Sequence, residues 1–370
     1  MEYNLKPDEK ATLQLRGLYE KYGYQKYKMG KFEEYSLYVN NRDFLAGDKV
    51  LTFTDLDGRL LAMKPDVTLS VINNTSATEE TREKLYYIEN VYRENKESHC
   101  FKEINQMGLE YLGSVDRYSI LEVITLAARS LEEIDEDYLL EISNMDYVLH
   151  LLEDMNLSES AYVELLSGIR QKNTTGIRES AKRAGLTESQ SDILCSIPFL
   201  YGTMDETLSR AKEMAQNNEM RQDAEDLQAY CEALKNLGYG DKIQLDLSLV
   251  NDIDYYNGVI FRGYIRKLPG CVLAGGQYDK AMKILGKAGG AVGFAIYLDE
   301  LTKGAQTPQL YDVDAVLLYS EEDAISDVFA AVCALQEKGM SVSAQTSDVT
   351  ELRYREKYVL RGGRAEKEAE

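Results

Sequence analysis

The chain has 370 residues, 44% of them apolar and 28% charged, enough for a full core and for about two or three domains. No apolar run approaches the ~18 residues of a membrane span, and the N-terminal MEYNLKPDEK lacks an apolar signal core, so a soluble cytoplasmic protein is expected. A formal charge of -21 argues against a dedicated nucleic-acid binder, and five cysteines without a CxxC pair, with His99 and His150 as the two imidazoles, argue against a zinc site.

Residues 8–22, DEKATLQLRGLYEKY, put Leu15, Leu18, Tyr19 and Tyr22 on one helical face, with Pro7 and Asp8 at the start and Gly23 at the stop. Short β-rich pieces follow to about residue 112, and Asp57-Gly58 within VLTFTDLDGRLLAM marks a hairpin. In KPDVT, 64–68, Pro65 fixes the backbone so that Asp66 and Thr68 present a carboxylate and a hydroxyl toward one spot, an arrangement suited to an ammonium group. Taken alone, those five residues read more readily as a plain turn with an N-cap-like aspartate. YRENKESHCFKEINQMGLEYLG, 92–113, reads as two strands joined by a polar loop, with Gln106, Gly108 and Glu110 sharing one face at period two. Polar residues in register on a central strand need partners or a ligand.

ILEVITLAARSLEEI, 120–134, returns to helix with Val123, Ile124, Ala127, Ala128 and Leu131 as its apolar stripe. Residues 151–240 are charged and helix-favouring, and they read as an insertion between strand-forming segments. Strands resume beyond it. In NDIDYYNGVIF, 251–261, Asp254 and Tyr256 lie on one face and Tyr255 on the other, followed by Gly258, although a tyrosine pair in a strand more often packs than binds. The glycines of AGGQYD and of the stretch before GFAIYLDEL, 293–301, allow close approach of a flat ligand and are equally common as turn material. From 312 a strand, a helix with Val328, Phe329, Val332 and Leu335 on one side, and a second strand give a βαβ unit, whose tail RGGRAEKEAE is expected to be frayed.

Together these pieces resemble the catalytic core of the class II aminoacyl-tRNA synthetases, and specifically the histidyl-tRNA synthetase family. KPDVT resembles its RP-E/D-x-T turn, YRE through NQMGLE its second class-defining motif, DIDYYNGVIF its RGLDYYTG strand, AGGQYD its GGRYD segment and GFAIYLDEL its third motif. The resemblance covers roughly residues 8–302 and implies an α+β fold: an antiparallel sheet flanked by helices in a discontinuous core, 1–150 and 241–305, with a helical insertion, 151–240, and a small α/β unit, 312–370.

The departures are systematic. Lys64, Asn251, Gln277 and Glu300 stand where the family has arginines, and Gly30 replaces the proline of its dimer-forming first motif. Of the nucleotide-gripping cations, Arg93 is plainly kept. Bent ATP needs its phosphates neutralised by guanidinium forks, and Glu300 beside a triphosphate repels it, so the pocket is expected to refuse ATP. The resemblance implies that Asp66, Thr68 and Gln106 hold an α-amino group and that Glu110 and Tyr256 surround an imidazole; with Arg93 and Tyr255 these form the expected histidine-binding set. Asn251 replaces an arginine that helps hold the ligand carboxylate in the family. Residues 312–370 carry seven Lys or Arg against thirteen Asp or Glu, a poor seat for RNA phosphates.

This combination resembles the regulatory subunits of ATP phosphoribosyltransferase, synthetase-like chains without aminoacylation. That resemblance implies a non-catalytic chain without cofactor that partners a short-form catalytic subunit in the first step of histidine biosynthesis. It also implies that the chain senses L-histidine, forms a self-dimer within a hetero-oligomer, and engages neither tRNA nor membrane. Two other readings stay open: a divergent histidine:tRNA ligase, and a synthetase-like scaffold that binds no histidine.

Overall fold

The structure, a computed structural model, describes residues 5–41, 49–95, 98–250, 256–303, 311–347 and 351–368. The first helix, Pro7–Lys21, carries Asp8 and Glu9 in its opening turn, where the positive end of the helix dipole favours them. Glu9 accepts the Lys6 backbone N–H at 2.9 Å, and Gly23 ends the helix at φ +83°. Its buried face consists of Ala11, Leu15, Leu18 and Tyr19, with Tyr22 at the rim, where its hydroxyl accepts from Arg129 at 2.8 Å.

That helix and the helix Arg117–Ile134, which Asp116 caps by accepting from Ser119 N–H at 2.8 Å, cover one face of a nine-stranded sheet. Tyr19 meets Tyr86 and Phe294 there, both with ring centroids 6.1 Å away. The strand order is Gln25–Lys26, Arg82–Asn95, Cys100–Gly113, Gly290–Tyr297, Cys271–Gln277, Asn257–Ile265, Tyr138–Asn144, Ile243–Asp246, Tyr201–Gly202. The middle of the sheet is antiparallel, as expected. Two flanking pairings are parallel: Gln25–Lys26 against 85–86, and 140–142 against 243–245. The second follows from the long helical excursion between its strands, because only a long crossover returns a chain in the same direction.

The α-helices of the excursion are Met145–Glu153, Glu159–Arg170, Thr174–Arg183, Glu188–Ser196, Met204–Met214 and Asn218–Asn236. Its Leu165, Ile169, Ile177, Leu194 and Leu227 join the same apolar cluster as the sheet and the first helix. A second cluster, with Val67, Leu69, Ile72, Tyr87, Leu112 and Met282, covers part of the opposite sheet face. Beside it the hairpin at Asp57-Gly58 pairs Thr52–Thr54 with Leu60–Met63, which in turn pairs with Phe32–Glu34.

The chain divides into two compact units, Met1–Gly304 and Ala305–Glu370. The second holds a four-stranded sheet in the order Val342–Gln345, Val313–Leu318, Tyr354–Arg361, Arg364–Lys367, with the helix Ile325–Gln336. Two expectations are corrected here. The tail is a hairpin, because Gly362 and Gly363 both adopt positive φ, 54° and 75°, the turn that matches strand twist. Phe329 is 68% exposed, since the helix turns its Ala331 and Leu335 side inward and Phe329 stands about 100° around from Val328.

No helix among the described residues is long and apolar enough to cross a membrane.

Candidate functional site

Period-two alternation sends Met107, Leu109 and Tyr111 into the main core and Gln106, Gly108 and Glu110 to the other face of the sheet. There Glu110 lies opposite Leu85 and Gly293, Gly108 opposite Tyr87 and Ala295, and Gln106 opposite Glu89 and Tyr297. The two glycines make space for the side chains beside them. A Cβ on Gly108 would come within 2.1 Å of the Tyr87 ring.

Glu110 is 2% exposed and is held from two sides. Thr68 Oγ1 donates to its Oε1 at 3.2 Å, and the Tyr278 hydroxyl donates to its Oε2. Burial pushes its carboxyl up to about 8, so it is mostly protonated at neutral pH. Tyr278 is buried at the start of the helix Asp279–Ile284, anchored by its N–H to the Ala291 carbonyl at 2.8 Å.

Asp66 serves two purposes. Its Oδ1 accepts the Leu69 N–H at 3.0 Å at the start of the helix Thr68–Asn74, so the plain-turn reading holds; its Oδ2 meets Arg93 Nη2 at 3.2 Å. Arg93 also donates from Nε to the Pro65 carbonyl at 2.7 Å, locking the turn to the long strand. Lys64 is fully buried, and its Nζ lies 3.0 Å from Glu89 Oε2. Burial draws its ammonium below the ordinary lysine range, with Glu89 opposing the shift.

Tyr256 sits in the same electrostatic neighbourhood. Burial raises its hydroxyl far above the usual tyrosine range, Tyr297, Glu110 and Asp66 push the same way, and Arg93 opposes them. Tyr87 feels Glu110, Asp66, Tyr256 and Tyr297 in turn. The structure therefore gathers Asp66, Thr68, Arg93, Gln106, Glu110 and Tyr256 on and beside one sheet face. Tyr255 lies outside the described residues, as do Asn251 and Asp254. Tyr87, Tyr278 and Tyr297 belong to the site and were not singled out from the sequence. Tyr278 stood in the AGGQYD segment and Tyr297 in GFAIYLDEL, but which face each addresses depends on strand register.

Of the positions that depart from the family's arginines, the three described ones are internally partnered. The Gln277 amide donates to Asp279, Glu300 pairs with Lys303, and Lys64 is paired as above. With Arg93 matched by Asp66 and Glu110 protonated, the site is nearly neutral and lined by hydroxyls and an amide. Such a surface suits a small ligand bearing both charges better than a polyanion. No group of His, Cys, Asp and Glu side chains among the described residues could hold a metal ion.

Residues 4–301 match the family model described as Histidyl-tRNA synthetase. The chain belongs to the histidyl-tRNA synthetase family. Within that family it is 29% identical over 349 residues to the ATP phosphoribosyltransferase regulatory subunit of Thermoanaerobacter sp. (strain X514), covering 92% of this chain and 90% of that one. Its fold is similar to that of an ATP phosphoribosyltransferase regulatory subunit/histidyl-tRNA synthetase from Bacillus halodurans, with a TM-score of 0.80, 22% identity, and 97% and 96% of the two chains covered. A chain of the ATP phosphoribosyl transferase (HisG:HisZ) complex from Thermotoga maritima matches with a TM-score of 0.63 at 22% identity, covering 80% of this chain and 98% of that one. The α+β fold is thus that of a class II synthetase core.

Proposed function

We propose that this chain is a non-catalytic regulatory subunit of ATP phosphoribosyltransferase, required by a short-form catalytic subunit and sensing free L-histidine in the synthetase-like cleft. The observation that carries this reading is the division of the site. Lys64, Gln277 and Glu300, which stand where the family has arginines, pair with Glu89, Asp279 and Lys303, whereas Asp66, Thr68, Gln106, Glu110 and Tyr256 lie on and beside one sheet face. A charge-assisted hydrogen bond contributes ~1.5–3 kcal/mol, so losing two or three of them removes several powers of ten in stabilisation of an adenylate-forming transition state. The names of the relatives support the regulatory role, and the Thermotoga maritima complex supports a phosphoribosyltransferase partner. Histidine binding shifts the hetero-oligomer between two arrangements, and a difference in affinity worth ~1–3 kcal/mol gives useful feedback. A self-dimer forms within that hetero-oligomer, and the acidic C-terminal unit has no role with tRNA.

The test is co-expression with a short phosphoribosyltransferase chain from the same genome, followed by a histidine titration. Activity should require both chains and fall with histidine. Activity of the short chain alone, unchanged by this one, refutes the reading. Histidine-dependent exchange of labelled pyrophosphate into ATP identifies a ligase instead.

A further inference from the structure

The polar sheet face that carries Glu110 continues across the sheet to the strand Asn257–Ile265. Phe261 packs on Phe294 with centroids 6.3 Å apart, and a Cβ on Gly263 would meet Leu131 at 2.6 Å, so these residues face the helix-covered core. Alternation then turns Ile260, Arg262 and Tyr264 to the other face. The glycine contacts agree: Ile260 abuts Gly276, Gly276 pairs with Gly293, and Glu110 stands over Gly293. Arg262 therefore shares a face with Glu110.

In its own row, Arg262 is followed across the sheet by Ala274, Ala295 and Gly108. The two residues of that row between Arg262 and Gly108 are alanines, and Arg262 and Gly108 lie three strand spacings or ~14 Å apart. An arginine side chain and a small amino acid laid end to end span such a distance. Tyr297 marks the middle of this floor: burial raises its hydroxyl, and both Arg93 and Arg262 act on it in the opposite sense. Glu141 pairs with Arg262 in register, and burial together with Asp246 raises that carboxyl, which weakens its competition for the guanidinium.

A zwitterion brings a carboxylate that needs a cation. Lys64 is matched by Glu89, and Arg93 by Asp66 and the Pro65 carbonyl. Arg262 is a further guanidinium on this face, and its five N–H donors leave room for a carboxylate beside its protein contacts. We propose that Arg262 holds the α-carboxylate of the amino acid bound in this cleft, opposite Asp66 at the ammonium end and Glu110 at the ring end. This rests on the histidine-binding reading above.

The experiment is calorimetric titration of the full chain with L-histidine and with histamine, which keeps the ring and amine and lacks the carboxylate. Wild type should prefer histidine by about tenfold or more, and Arg262→Gln should weaken histidine by a similar factor while leaving histamine within about twofold. Arg262→Lys, which keeps the charge and loses the fork, should fall between them for histidine alone. An equal loss for both ligands overturns the assignment, as does unchanged histidine binding, or a preference that collapses in Arg93→Gln and survives in Arg262→Gln. Wild type that binds neither ligand overturns the histidine reading as well, a failure recognised before any substitution is made.

Discussion

Glu110 and Gly293 occupy adjacent strands in direct register, and the carboxyl of one fills the space that a side chain on the other would take: a Cβ at 293 would sit 1.8 Å from Oε2. The Leu109 carbonyl, 2.5 Å from the same point, is backbone and has little room to yield. Gly293→Ala should therefore destabilise the core unit by about 1–3 kcal/mol and displace the Glu110 carboxyl from Thr68 and Tyr278. Urea unfolding and histidine titration of the variant test both effects, and binding should weaken by more than the loss of stability accounts for.

The raised carboxyl of Glu110 makes a pH prediction. Its folded value is about 8 and its ordinary value 4.5, so below pH 4.5 both states hold the proton and the group contributes no pH dependence. Between those values the unfolded chain releases a proton that the folded chain keeps, and stability falls as pH rises, by on the order of a few kcal/mol, levelling above pH 8. Glu110→Gln removes this slope. Unfolding midpoints of wild type and variant should converge at pH 5 and favour the variant at pH 8.

Glu110→Ala should leave assembly with a phosphoribosyltransferase chain intact and blunt histidine inhibition. Size-exclusion chromatography of the co-expressed pair and inhibition curves separate the outcomes. Loss of assembly would make Glu110 a structural carboxylate.

Lys64 and Glu89 test a buried ion pair. Removing one partner leaves the other charge without its match, so Lys64→Ala should cost about 3–5 kcal/mol. Replacing both, as Lys64→Met with Glu89→Leu, should cost clearly less, because no lone charge remains. Comparison of urea midpoints decides between pairing and simple packing as the origin of the loss.

In the C-terminal unit, Gly362 and Gly363 both lie in the left-handed region. Alanine at either should cost about 1–2 kcal/mol by strain between Cβ and the following carbonyl. Hydrogen exchange of the Tyr358 and Leu360 amides should accelerate accordingly, with no effect on the strands of the first unit.

Local pattern carried much of this protein. The helices Pro7–Lys21 and Arg117–Ile134, the hairpin at Asp57-Gly58 and the shared face of Gln106, Gly108 and Glu110 are properties of side-chain periodicity and turn chemistry within a few residues, legible in the sequence alone. The glycine pair of the tail belongs to the same class of signal, although the charged composition around it points to fraying. Other relationships join residues distant along the chain. Tyr278 reaches Glu110 across 168 residues of sequence, Lys64 finds Glu89, and Arg262 shares a face with Glu110 because four strands lie in one order and one register. A one-residue slip in any of those pairings would turn the same side chains into the core. Composition and period thus determined which residues could be polar neighbours, and tertiary pairing decided which of them meet, since only the assembled sheet brings distant strands within a side chain's reach.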